Sequence, residues 1–99
     1  MKKINNSDFE FDKYEKQIEK AKYYRSISHF FTVYTGFDSK DHNGIYVLKI
    51  SDKLEIYESD SSFPFDIICN LEGKHSQQAF NIITWKDLSG EEQSRFMGA

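Results

Sequence analysis

The sequence predicts an α+β fold: an N-terminal helix, a four-stranded and mainly antiparallel sheet, a short helix before the last strand, and a short C-terminal helix. Three features carry this expectation. Three runs rich in β-branched and aromatic residues follow one another between Ser28 and Ser59, with turn residues between them. An amphipathic stripe precedes those runs, and two stretches with helix-end signals flank a fourth run near the C-terminus. The resulting order is α, β, β, β, α, β, α, with no repeat and no low-complexity tract.

Residues 1–6 carry no pattern and are expected to fray. Ser7 followed by Glu10 then has the spacing of a capping box, and Phe11, Tyr14, Ile18, Ala21 and Arg25 recur at intervals of three and four. This predicts a helix over about 8–24, docked by its aromatic side, with Lys13, Lys16 and Lys20 facing water. "SHFFTVYT" (28–35), "IYVLKI" (45–50) and "KLEIYES" (53–59) read as a meander of strands. The loop before the second of them ends in Asn43-Gly44, a pair that tolerates positive φ and suits a hairpin turn. "FPFDIICNLEG" fits a strand through the alternation of Phe65, Ile67 and Cys69. Pro64 in a first turn and Gly73 just past the end favour a short helix instead. "QAFNIITW" (78–85) is the fourth strand. Ser89 and Glu92 form a second capping box that opens the last helix, with Leu88 placed before it as a hydrophobic staple.

Composition narrows the function classes. Ninety-nine residues read as one domain with one core, and aromatics make up 16% of the chain, so a few large rings supply much of the buried area. A net charge of −3, from 13 basic and 16 acidic residues, is too balanced for a protein held mainly by phosphate contacts. The single cysteine, Cys69, has no internal disulfide partner, the N-terminus lacks an apolar leader, and no run is long enough to span a membrane. A cytoplasmic setting, in a bacterial cell or a phage-infected host, is the expectation. The leaning to Lys, Ile, Asn, Tyr and Phe is what an AT-rich genome encodes.

Each residue group with chemical potential has a plainer explanation. "SKDHNG" (39–44) begins like a calcium loop, but the position for the closing bidentate Glu falls on Ile50, so it reads as a turn. Cys69 and His75 lack an orienting third group, and His29, His42 and His75 lack zinc spacing. Neither a metal nor a cofactor is called for, and no phosphate-cradling glycine motif is present. The series Lys13, Lys16, Lys20, Lys22 and Arg25, with Tyr23 and Tyr24 behind it, has the elements of a nucleic-acid-binding face. Interleaved Asp12, Glu15 and Glu19 make a solvated helix face the simpler account.

The opposite run is more specific. Glu55, Tyr57, Glu58, Asp60, Phe63 and Asp66 combine acid oxygens with aromatic side chains across a strand, a loop and a helix start. Such a set engages a basic groove on a larger protein, since charge steers and aromatics hold. The expected function is a non-enzymatic protein-binding module: an inhibitor or antagonist of a larger host enzyme, of the anti-defence or immunity type found in phages and mobile elements. The expected partner is a nuclease or another nucleic-acid-binding enzyme, with a homodimer as a further association. The alternative is a nucleic-acid-binding accessory protein using the lysine face.

Overall fold

A computed structural model describes residues 1–74 and 76–99. It shows an α+β architecture with one antiparallel sheet. Among the described residues the sheet has six strands rather than four, β1 (Lys2–Ile4), β2 (Tyr23–Ser26), β3 (Val33–Asp38), β4 (Ile45–Ile50), β5 (Leu54–Ser59) and β6 (Phe80–Ile83), in the order β1-β5-β4-β3-β2-β6. Three α-helices among the described residues accompany it: α1 (Glu15–Lys20), α2 (Pro64–Glu72) and α3 (Gly90–Phe96). Among the described residues no helix is long and apolar enough to cross a membrane.

Both extra strands come from the N-terminal third. Residues expected to fray instead pair with β5, Lys3 opposite Tyr57 and Ile4 opposite Ile56. The long helix expected over 8–24 is broken into two short 3-10 turns, Asn6–Asp8 and Phe11–Tyr14, and the six-residue α1. Ser7 lies inside the first of these turns, and neither turn has a side-chain cap. The chain turns extended at Ala21 and enters β2, where Tyr23 is fully buried and pairs on both sides, with Thr35 of β3 and Ile83 of β6.

The central strand β4 is apolar at nearly every position because both faces of the sheet are covered. In β4, Ile45 and Val47 pack on one face of the sheet, while Tyr46, Leu48 and Ile50 pack on the other. The first face is covered by α2 through Ile67, Ile68 and Cys69. The second is covered by Phe9, Tyr14, Ile18, Leu88 and Phe96, contributed by the N-terminal segment, α1, the turn before α3 and α3 itself. Helices therefore sit on both faces. Full burial of each large aliphatic side chain contributes roughly 1.5–3 kcal/mol before entropy is counted, so Ile45, Leu48, Ile56 and Ile68 are principal supports of the sheet.

α2 is the element on which the sequence signals worked best. Pro64 occupies its first turn, and Gly73 ends it with φ 72°, a left-handed conformation that glycine adopts without strain. Gly36 of β3 lets the helix start approach closely, because a Cβ there would lie 2.6 Å from Pro64 Cβ. α3 has its full capping box: Glu92 N–H donates to Ser89 Oγ at 3.1 Å, and Ser89 N–H donates to Glu92 Oε1 at 2.9 Å.

Candidate interaction surface

Strand alternation divides the acidic run. In β5, Glu55 and Tyr57 lie on the α2 side of the sheet, and Glu58 lies on the other. Glu55 is already committed: its side chain is 15% exposed, and it accepts from Lys3 Nζ at 3.0 Å and lies 3.5 Å from Lys49 Nζ. The Lys3 bond holds the Glu55 carboxyl below its ordinary range. Tyr57 is partly covered, and burial pushes its phenol up. Glu58 borders a cavity of about 660 Å³ with Asp8, Glu10, Tyr14, Asp41 and Tyr46. On its other side His42 Nε2 lies 3.2 Å from Glu58 Oε2, without the alignment of a hydrogen bond.

The loop before β4 is a turn of a different kind from the one expected. Neither Asn43 nor Gly44 adopts positive φ. Ser39 Oγ instead accepts from the backbone N–H groups of Asp41 and His42, each at 3.1 Å. Gly44 is required by space: a Cβ there would lie 2.0 Å from the Ser59 carbonyl oxygen. Asp41 accepts from Lys13 and, at 2.7 Å, from Tyr14 OH, and the Lys13 bond lowers its carboxyl pKa. Among the described residues no group of three or more His, Cys, Asp or Glu is placed to hold a metal ion.

Asp60, Phe63 and Asp66 remain together and exposed at the corner where β5 leads into α2. Phe63 is 65% exposed. The corner is built from local serine turns: Ser61 N–H donates to Ser59 Oγ at 3.2 Å, and Phe63 N–H to Ser61 Oγ at 3.3 Å. Asp66 and Asn70, one turn apart, continue the exposed stripe along the outer face of α2.

At the other end of α2 stands a group that the sequence reading placed inside a strand. β3 begins at Val33, so Ile27 to Phe31 form the β2–β3 turn, and Phe30 and Phe31 are 66% and 80% exposed. Their rings contact edge to face, with centroids 5.4 Å apart. The turn is closed by Thr32 N–H donating to His29 O at 2.7 Å and Ser26 N–H donating to Thr32 O at 3.0 Å. Beneath it lies Glu72, the last residue of α2, whose side chain is only 4% exposed. Glu72 accepts from Ser26 Oγ at 2.6 Å and from Tyr34 OH, while His29 N–H donates to Ser26 Oγ at 3.1 Å. Burial and the Glu72 bond push the Tyr34 phenol up. Nothing local to residues 28–32 separated this turn from a strand, since Phe30 and Phe31 also fit a strand covered on both faces.

The remaining candidates are tied into the fold. Lys13 is held by Asp41, Arg25 forks onto both oxygens of Glu92 at 2.9 Å, and Tyr23 is buried, whereas Lys16, Lys20 and Lys22 are exposed. Cys69 is buried on the inner side of α2, where desolvation and then Asp66 push its thiol up. The proposed partner of Cys69, His75, lies outside the described residues. No family model, curated protein or solved structure matches the chain.

Proposed function

We propose that this chain is a protein-binding module that acts by occupying a surface of a larger protein, as an inhibitor or antagonist of an enzyme does. The observation that carries this reading is the display of three exposed phenylalanines on two segments joined by one nine-residue helix, Phe63 just before α2 and Phe30 and Phe31 on the turn tied through Ser26 to Glu72 at its end. At about 1.5 Å per residue the ends of the helix lie roughly 13 Å apart, a span within one standard interface. Exposed rings on a rigid frame have the character of binding hot spots.

Carboxylates border the exposed rings at both ends. Asp60 and Asp66 flank Phe63, and Phe31 lines a cleft with Asp52, Glu91 and Glu92, beside Arg25 and Arg95. This favours a partner that sets basic groups next to apolar pockets, and a nuclease cleft has that chemistry. A mobile-element origin, as the AT-rich residue usage suggests, is consistent with an anti-defence or immunity role.

The test starts with capture of a partner from a lysate of the source organism on the immobilised chain, and then measures its affinity for variants. Asp60→Lys with Asp66→Lys should weaken the complex at least tenfold, about 1.4 kcal/mol, and flatten its salt dependence. Unchanged affinity and unchanged salt dependence would remove the acidic corner from the contact.

A further inference from the structure

The two edges of the sheet are unlike. β1 at one edge carries Lys2 and Lys3, both exposed, and lysine on an edge is a common way for a sheet to resist pairing with another chain. β6 at the other edge reads Phe80, Asn81, Ile82, Ile83, without charge or proline, and Ile82 is 46% exposed.

The main-chain direction of β6 follows from its neighbours. Ser26 N–H donates toward β3, to Thr32 O, and Ile27 N–H donates to Ala79 O on the β6 side. Because these directions alternate along a strand, Tyr23 and Arg25 face β6, and their partners Ile83 and Asn81 face β2. Phe80 and Ile82 therefore turn outward. The Phe80 N–H is taken by Gln77 O, and the Thr84 N–H donates to Asp87 Oδ2 at 2.9 Å. The N–H and C=O of Ile82 point off the sheet with no backbone partner among the described residues.

We infer that β6 pairs antiparallel with β6 of a second copy of this chain, about a two-fold axis at Ile82. One donor and one acceptor on the same outward residue are self-complementary: the axis sets each Ile82 N–H against the other copy's Ile82 C=O. Asn81 then opposes Ile83 of the second copy, and the two Ile82 side chains meet on one face beside Tyr24, the residue that Ile82 faces on β2. Charge selects the same seam. Two copies that each carry −3 approach at least cost where neither presents a charge, and β6 presents none. The six strands of each copy would join in one continuous sheet.

Sedimentation equilibrium of the full chain, over about 1 μM to about 1 mM, tests this inference. The mass should rise from 11.7 kDa toward twice that value, and exchange of the Ile82 amide should slow over the same range. Ile82→Lys and Ile82→Glu should each stay at 11.7 kDa, because like charges then meet at the axis, while an equimolar mixture of the two should dimerise. Ile82 is half-exposed, so both variants should melt close to the unsubstituted chain. A mass of 11.7 kDa at every concentration, association undiminished by Ile82→Lys, or a mixture that stays monomeric would each overturn the inference.

Discussion

The two ends of α2 display aromatic rings by opposite means. At the N-terminal corner Phe63 is held by short-range serine turns and by the seating of Pro64 on Gly36. At the C-terminal end Phe30 and Phe31 stand on a turn whose base is tied across the fold, through Ser26 and Tyr34, to a buried carboxylate. Local turns tolerate change. A buried hub does not, because removing one partner leaves the others desolvated and unpaired. The first surface should therefore be tunable by substitution, and the second should be lost as a unit.

The largest effect is expected at Gly44, which supports the N-terminal corner from beneath. Gly44→Ala drives a Cβ into the Ser59 carbonyl oxygen, a backbone atom that cannot swing aside, and should destabilise the fold at the top of the roughly 1–3 kcal/mol range for overpacked sites. Urea unfolding measures this, and a cost under about 0.5 kcal/mol would mean that the approach of β4 to Ser59 is looser than described. Next comes Glu72→Ala, which strands the hydroxyls of Ser26 and Tyr34 and should cost about 2–3 kcal/mol. Amide exchange should accelerate at residues 27–32 and leave the Phe63 corner unchanged. Equal acceleration at both ends would erase the distinction between them.

A smaller effect follows from the carboxylates. Burial works to raise the Glu92 carboxyl, but the Arg25 fork and the Ser89 N–H outweigh it, and the net position is below the ordinary value of 4.5. Glu55 lies below 4.5 as well, chiefly through Lys3. A depressed folded value stabilises the fold fully above the unfolded value and loses that contribution as pH falls through the folded one. Stability should thus decline as pH drops below about 4.5, and Glu92→Gln should shallow the decline measured by urea midpoints. An identical pH profile in Glu92→Gln would show that the Arg25 pair contributes nothing to it.

The parts of the fold that were legible in the sequence are those fixed by near neighbours. "IYVLKI" is apolar at nearly every position because both of its faces are buried, Pro64 and Gly73 bracket α2, and Ser89 with Glu92 opens α3. The N-terminal third misled because its partners are remote. Tyr14 and Ile18 do face the core and Phe11 packs against it, yet the same spacing carried on to Ala21 and Arg25 extended the helix into what is β2. Nothing within residues 1–26 announces that β1 pairs with β5 or that β2 sits between β3 and β6. The candidate surface was legible in half. Asp60, Phe63 and Asp66 stayed together because one loop and one helix turn carry them, whereas Glu55 and Glu58 were separated by the pleat. Phe30 and Phe31 were missed because their exposure depends on where β3 begins, and the β2 pairing decides that.

The central claim is that exposed rings at the ends of α2 do the binding, and the affinity of the captured partner for Phe30→Ala with Phe31→Ala tests it most directly. Both side chains project into solvent, so the variant should melt within a degree or two of the unsubstituted chain. Calorimetric titration should show binding weakened at least tenfold, about 1.4 kcal/mol or more. A well-folded variant that binds its partner with undiminished affinity would contradict the account.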